Sequence, residues 1–377
     1  MCKHFRGLRG VCRKEDIRRG VWPREIRLRP FPFSVGLRSF VKDKFFFIIC
    51  NRNNVLGWFE IKKSGEAVLS MIQYEELCPS SCPTAVALGF FDGLHRGHTA
   101  VIGQAVQEKQ NGLMPVVFTF PDSPQRELSG SGAPRLLVLP ERARLLEKMG
   151  VEYLYQIPFS RMMDISPEEF VSHILRDILK AQKVFCGFNY HFGKGGRADS
   201  RDLKRLCRRE GIETVSLEPV LEQGTPVSST RIRNMVETGD IESANRMLGR
   251  PFFYEGEVIN GRKLGRLLGT PTLNQLFPEG FILPRFGVYA ALVSCDGWTT
   301  SGVTNIGVKP TVGSPDPLSE TWMPDYRGKE LYGERVKIQL LRFLRPEKKF
   351  EDLEQLRQAI LSDGERAREI CRGYLQD

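Results

Sequence analysis

Residues 85–102 read AVALGFFDGLHRGHTAVI, and this stretch decides how the first half of the chain folds. The apolar run Ala85–Leu88 predicts a short buried strand that ends at Gly89, and the amphipathic run after His98 predicts a helix. A strand, a tight turn and a helix in succession are typical of a parallel α/β sheet, whose ligands bind beyond the carboxyl ends of the strands.

The turn between this strand and this helix carries residues suited to phosphate. Gly89, Gly93 and Gly97 let the backbone approach a bound group closely. His95 and His98 stand three apart at the helix start, where free N–H groups and the helix dipole favour an anion. The alternative is that His98 caps the helix and His95 lies at the surface. Zinc is a weaker interpretation, because no third ligand stands nearby.

The composition indicates a globular protein of two or three domains. The chain has 377 residues, of which 41% are hydrophobic and 27% charged. No apolar run approaches the roughly 20 residues of a membrane span, so we expect no membrane association. Nine cysteines without a CxxC pair predict reduced thiols and a cytoplasmic protein. We expect a monomer or a weak homo-oligomer.

The positive charge of the chain is confined to its first part. Residues 1–70 contain 16 Lys and Arg against 6 Asp and Glu, so the formal charge of +10 leaves the remainder neutral. Three interpretations stay open: a basic arm for nucleic acid or a membrane surface, a targeting peptide, or sequence upstream of the true start. We expect Met71 to be the physiological start, with a disordered extension as the second choice and no nucleic-acid partner.

Residues 85–217 alternate between strand-like and helix-like runs, which predicts a parallel sheet with helical crossovers. After the first strand, the predicted strands are 114–120, 152–156, 183–187 and 213–217. The predicted helices run to about residue 109 and then over 140–149, 167–181 and 200–210, with a polar loop at 121–135.

A second anion site is predicted at the start of a later helix. Ser228, Ser229 and Thr230 bring hydroxyls to free N–H groups, and Arg233 adds a guanidinium fork one turn further on. A plain helix cap would explain the serines alone. A short helix then ends at Gly249, where we place the boundary between domains 71–249 and 250–377.

The last part of the chain has a different pattern. Short β-type runs at 252–258, 287–294, 299–306 and 334–343 predict a small antiparallel barrel, and 351–375 predicts an amphipathic helix. The barrel opens on a flexible basic loop able to fold over phosphates, formed by Gly261, Lys263, Gly265, Arg266 and Gly269. Thr272 and Asn274 then present oxygens on one face, of the kind that Mg²⁺ accepts.

These motifs together resemble one family. GFFDGLHRGH resembles the HxGH signature of adenylyl- and cytidylyltransferases, and FDGxHxGH resembles the bacterial bifunctional riboflavin kinase/FMN adenylyltransferases. Residues 228–233 resemble that family's ISSSxxR motif, 187–193 its nucleotide and flavin loop, and 261–274 its GR(x)LGxPTxN element. For 187–193, an aromatic plug in a turn is the alternative. The resemblance covers about 72–377 and implies a Rossmann-like α/β nucleotidyltransferase domain followed by a small antiparallel β-barrel riboflavin kinase domain with a C-terminal helix.

The resemblance also implies roles for particular residues. His95, His98 and Arg233 would catalyse adenylyl transfer, and Glu320 in SETW would be the base of the kinase. Nucleotide and flavin binding would fall to Gly89, Phe91, Asp92, Gly97, Asn189, Ser228, Ser229, Thr230, Gly261, Gly265, Arg266 and Gly269. Thr272 and Asn274 would hold Mg(II). ATP would be the co-substrate, riboflavin the first substrate, and FMN and FAD the products.

Two positions depart from the family pattern, and two other functions stay open. Ser123 and Trp322 stand where the family usually has histidine, which puts substrate affinity or metal handling in doubt. Another HxGH nucleotidyltransferase, for a pyridine nucleotide or a CDP-alcohol, would share the turn without needing the PTxN barrel. A non-enzymatic binder would use the basic N-terminal arm.

Overall fold

A computed structural model describes strands within residues 34–69 and then residues 71–260, 270–308 and 317–375. The predicted loop residues Gly261, Gly265, Arg266 and Gly269 lie outside the described residues. The chain forms two compact units. The first contains the chain up to Phe91 with His98–Ala133 and Leu139–Pro219, and the second contains Asp92–Gly97, Pro134–Val138 and the chain from Val220.

The elements follow one another along the chain in a strand-rich order. Up to residue 217 they are β1 (Ser34–Val41), β2 (Lys44–Cys50), β3 (Val55–Leu56), β4 (Phe59–Ile61), β5 (Ala67–Leu69), β6 (Ile72–Tyr74), β7 (Thr84–Leu88), α1 (Arg96–Gln107), β8 (Met114–Thr119), α2 (Pro124–Ser129), α3 (Leu139–Lys148), β9 (Tyr153–Gln156), α4 (Pro167–Glu169, continued by a π-helix over Phe170–Ile178), β10 (Ala181–Gly187), α5 (Ser200–Arg209) and β11 (Glu213–Leu217). The later elements are β12 (Leu221–Glu222), β13 (Thr225–Pro226), α6 (Ser229–Thr238), α7 (Ile241–Leu248), β14 (Phe252–Glu257), β15 (Thr272–Leu276), β16 (Gly287–Cys295), β17 (Trp298–Val308), β18 (Pro317–Trp322), β19 (Arg335–Arg345) and α8 (Leu353–Cys371).

The first unit is built on a seven-stranded sheet of order β11-β10-β7-β8-β9-β6-β3. Six of these strands are parallel, and only the edge strand β3 is antiparallel. All five residues of β7 are buried, and Val86 lies between Val116 of β8 and Val184 of β10. Ile174 of the π-helix and Leu203 of α5 pack in the same core. Apolar residues on both faces of a strand are typical of such a covered sheet.

The second unit contains a six-stranded antiparallel sheet of order β14-β19-β16-β17-β18-β15. Its edge strands approach each other, since the N–H of Ile259, just after β14, donates to the carbonyl of Asn274 in β15 at 2.9 Å. The buried Gln275 amide also donates to the carbonyls of Gly256 and Val336, both at 2.7 Å. The predicted barrel is therefore confirmed as a half-barrel with a C-terminal helix.

Helix α8 is anchored to this sheet through Trp322. The indole is 9% exposed and packs with Val288, Val303 and Ala367. Gly364 permits the close approach, because a Cβ at that position would lie 2.6 Å from the indole ring. Tryptophan at this position, where the family has histidine, thus supplies the packing surface for α8.

Most predicted strands and helices are confirmed to within a few residues, with three differences. The predicted polar loop 121–135 contains α2, whose first turn is capped by Ser123 Oγ accepting from the N–H of Arg126 at 3.2 Å. Strand β18 was not predicted, and the helix predicted over 167–181 ends at Ile178 because β10 begins at Ala181.

The predicted domain limits stay predictions. Helices α6 and α7 belong by their contacts to the second unit, although the predicted boundary lies after them at Gly249. Residues 34–69 contribute strands β1 to β5, and the role of residues 1–70 is still the expectation given above. Within the parts of the chain that the structure describes, no helix is long and apolar enough to cross a membrane.

We predict that Trp322→Ala lowers the free energy of unfolding of the second unit by about 3–5 kcal/mol, because a large buried side chain is lost without refilling. Urea denaturation followed by the circular dichroism of that unit measures the change. Trp322→Phe, which keeps part of the packing, is the matched control and should cost clearly less. A Trp322→Ala protein within about 1 kcal/mol of the wild type would contradict this account.

Candidate active sites

The turn between β7 and α1 has an unusual backbone. Phe91, Gly93 and Leu94 all have positive φ, at 52°, 78° and 45°. This conformation costs a non-glycine residue about 1–3 kcal/mol, so it persists only where surrounding contacts hold it. The Phe91 and Leu94 side chains are each 1% exposed, and their burial compensates part of that cost.

Asp92 links this turn to two other segments of the second unit. Its carboxylate, 4% exposed, accepts from Arg233 Nη2 at 2.5 Å and from the backbone N–H of Leu136 at 3.1 Å. The carbonyl of Asp92 accepts from Ser229 Oγ at 3.0 Å. Arg233 Nε also donates to the carbonyl of Pro134 at 2.8 Å. Two predicted binding residues, Asp92 and Arg233, therefore form a buried ion pair that fixes the turn.

His95 is buried rather than at the surface. It is 6% exposed, and burial together with the nearby positive charge of Arg250 lowers the pKa of its imidazole from 6.5 to about 4. The ring lies over Gly97, where a Cβ would come within 3.2 Å of Cε1. His95 is therefore neutral at pH 7, and it can offer a phosphate one N–H donor but no full charge.

His98 lies in the first turn of α1 and contacts Phe91. The two ring centroids are 5.3 Å apart, with the planes at 89°. Gly89 leaves room for the phenyl ring, because a Cβ there would lie 2.8 Å from it. The predicted residues Gly89, Phe91 and His98 thus pack at the end of β7 in the first unit.

The remaining predicted residues of the nucleotide site are partly open to solvent. Ser228 is the N-cap of α6 and accepts from the N–H of Arg231 at 3.3 Å, while Thr230 in the first turn is exposed. Asn189 follows β10, is exposed, and places its carbonyl 3.0 Å from His191 Nδ1. These groups are accessible to a ligand from solvent.

The half-barrel aligns three polar side chains across neighbouring strands. Glu320 of β18 lies directly opposite Asn274 of β15 on one side and Asn305 of β17 on the other. Thr272 and Trp322 are the next opposed pair on the same face, since residues two apart on a strand share a face. The predicted base and the predicted metal ligands are therefore neighbours, on the face that α8 covers.

Asn274 has the properties of a ligand residue. It is 5% exposed, and its Oδ1 atom is buried without a hydrogen-bond partner. A buried oxygen of this kind costs free energy unless something binds it. No group of three His, Cys, Asp or Glu side chains in the described part of the chain could hold a metal. A cation here would rely on neutral protein oxygens together with phosphate oxygens.

Comparisons with known proteins agree with both sites. Residues 78–231 match the family model described as FAD synthetase, and residues 248–371 match riboflavin kinase. A Bacillus subtilis bifunctional riboflavin kinase/FMN adenylyltransferase is 35% identical over 292 residues, which cover 75% of this chain and 91% of the relative. This chain belongs to the bifunctional riboflavin kinase/FMN adenylyltransferase family. The Escherichia coli K12 member is 32% identical, over 76% of this chain and 92% of its own.

A solved structure shows the same fold along most of the chain. The crystal structure of a Streptococcus pneumoniae protein named as a macrolide-efflux protein is 28% identical, with a TM-score of 0.73. It covers 79% of this chain and 98% of its own length. Both units of the bifunctional family member thus have a counterpart in one solved chain.

Two residues of these sites were missed by sequence reasoning. Arg250 binds the turn that carries His95, and Asn305 lies beside Glu320. No spacing rule places Arg250 near a turn 157 residues earlier in the chain. Asn305 could have been found, because TNIG resembles the family and alternation along β17 places Asn305 and Val303 on one face.

We predict that His95 does not titrate in the folded protein above about pH 5. Its pKa is lowered below that of an unfolded chain, so the unfolded state binds more protons and stability is lost as the pH falls from about 6.5 towards 4. An NMR pH titration of the imidazole C–H resonances measures this, with His95→Gln assigning the signal. An imidazole that titrates near pH 6.5 would show that His95 is solvated instead.

Proposed function

We propose that the two reactions of this bifunctional enzyme occur at the two sites described above. As a member of the family, the chain phosphorylates riboflavin to FMN with ATP and adenylylates FMN to FAD with a second ATP. The observation that carries the assignment is the presence of two separate polar constellations. One contains His95, Asp92 and Arg233, and the other contains Glu320 and Asn274.

For adenylyl transfer, we assign ATP to the turn and the start of α6. A phosphate oxygen of FMN attacks the α-phosphorus, a new P–O bond forms, and the bond to pyrophosphate breaks. His95 donates a hydrogen bond to a phosphate oxygen, and the N–H groups at Ser228 and Ser229 bind others. Arg233 supports this site through Asp92, and its phosphate contact is a prediction from the resemblance. So is the role of His98 as the second imidazole.

For riboflavin phosphorylation, we assign Glu320 as the general base. Its carboxylate accepts the proton of the ribityl 5′-hydroxyl while that oxygen attacks the γ-phosphorus, and ADP leaves. Positioning and charge neutralisation supply most of the rate enhancement in such transfers. Asn274 and Asn305, opposite Glu320, support its position between two amide side chains.

We propose that Thr272 and Asn274 hold a magnesium ion in this kinase site. The buried Asn274 Oδ1 without a hydrogen-bond partner supports the fit. When bound, Mg²⁺ neutralises the charge of the ATP phosphates. The four loop residues Gly261, Gly265, Arg266 and Gly269 are proposed from the resemblance alone as the phosphate-covering segment.

We also propose a cytoplasmic location. Support comes from the cysteines in the described residues, namely Cys78, Cys82, Cys186, Cys207, Cys295 and Cys371, which are all free. Unpaired buried thiols of this kind are typical of a reducing compartment.

The two activities should separate by mutation. We predict that the double variant His95→Ala with His98→Ala converts riboflavin to FMN but forms no FAD, because only the adenylylation site loses its phosphate donors. Glu320→Gln should lower FMN formation at least about 100-fold, the upper range for loss of a base being 10⁴-fold, and leave FAD formation from added FMN unchanged. Chromatography of the flavin products measures both reactions.

Two variants serve as matched controls for this separation. His173→Ala removes a solvent-exposed histidine of the π-helix, and Glu279→Gln removes an exposed carboxylate of the second unit. Both should keep both activities. If the histidine variant still made FAD, or if Glu320→Gln still made FMN at the wild-type rate, the corresponding site assignment would be wrong.

We predict that Asn274→Leu raises the Mg²⁺ concentration for half-maximal FMN formation at least about 10-fold, because it replaces a ligand oxygen by an isosteric apolar group. A magnesium titration at saturating ATP and riboflavin measures it. The Mg²⁺ dependence of FAD formation from FMN is the internal control and should stay as in the wild type. An unchanged Mg²⁺ dependence of both reactions would exclude Asn274 as a metal ligand.

A further inference from the structure

Arg250 binds two successive carbonyls of the turn that carries His95. Its Nη2 donates to the carbonyl of Gly93 at 2.7 Å, and its Nη1 donates to the carbonyl of Leu94 at 2.9 Å. All three residues belong to the second compact unit. Arg250 begins the chain segment that matches riboflavin kinase, whereas the turn lies in the segment that matches FAD synthetase.

These two carbonyls need a donor from elsewhere in the chain. They precede α1, which begins at Arg96, so its ladder of N–H groups does not reach them. Both Gly93 and Leu94 are buried, and buried carbonyls are almost always hydrogen-bonded. The guanidinium of Arg250 spans both with one rigid fork, which a lysine side chain does not reproduce.

The bonds also act where the backbone is least relaxed. Gly93 and Leu94 both have positive φ, and Leu94 pays the steric cost of that conformation. Arg250 is itself largely buried, since burial lowers the pKa of its guanidinium from 12.5 to about 10. Its contacts with the turn therefore occur away from water, where hydrogen bonds are strong.

We propose that Arg250 is a positioning residue for adenylyl transfer, which holds the Gly93–Leu94 backbone and thereby sets the place of the His95 imidazole. The FMN-to-FAD step then depends on a side chain from the riboflavin kinase segment of the sequence. This inference rests on the proposed role of His95. Arg250 contacts no reacting atom in this account and acts through the turn alone.

The test compares variants of the full-length protein in both reactions. Arg250→Met keeps the aliphatic stem and removes both donors, and it should lower kcat for FAD formation from FMN by about 10- to 100-fold, the effect of a small misplacement of a catalytic group. The total flavin phosphorylated from riboflavin should stay within about twofold. Arg250→Lys should fall between Arg250→Met and the wild type, and millimolar methylguanidinium should restore part of the FAD formation of Arg250→Ala.

Riboflavin phosphorylation reports on folding, because Glu320 and Arg250 lie in the same compact unit. Arg342→Met is the matched control, since Arg342 forms a half-exposed ion pair with Glu242 at 2.7 Å and should change neither reaction. Equal losses of both reactions in Arg250→Met, or no methylguanidinium effect, would mean a structural role and overturn the proposal.

A further variant separates this inference from the site on which it rests. If His95→Ala alone keeps wild-type FAD formation, the proposed nucleotide site is wrong. If His95→Ala loses FAD formation while Arg250→Met keeps it, the site stands and the positioning role of Arg250 is overturned.

Discussion

The buried ion pair between Asp92 and Arg233 is the constraint on which the adenylylation site depends. Two opposite charges removed from water are stable only when their remaining hydrogen-bonding groups are also satisfied. Here Leu136 N–H completes the carboxylate and the Pro134 carbonyl completes the guanidinium. The pair therefore does more than neutralise charge, because it ties the turn before α1 to α6 and to the segment 134–138.

The two sites bind phosphate with little permanent positive charge of their own. His95 is neutral because burial lowers its pKa, so it contributes a directed donor. In the kinase site, Thr272 and Asn274 offer neutral oxygens, and the carboxylate of Glu320 lies between two amides. Charge on the nucleotide must then be balanced by what arrives with it, which suits an enzyme that binds and releases two triphosphates.

The two departures from the family's histidines both have structural explanations. Ser123 caps α2, and Trp322 anchors α8 against the half-barrel. Trp322 is also the neighbour, two residues along β18, of the proposed base Glu320. Packing of α8 and placement of the base are thus decided on one strand, so stability and catalysis share the same few residues in this unit.

The sequence by itself determined the element order of both units, the family and most candidate residues, because strand alternation, turn glycines and helix caps act over a few neighbours. Only the tertiary structure decided which distant groups meet. Asp92 and Arg233 are 141 residues apart, and Arg250 reaches a carbonyl 157 residues away. Such contacts follow from how whole elements pack. No local pattern encodes them, and β18 escaped prediction because its buried polar residues Ser319 and Thr321 find their partners only in the assembled sheet.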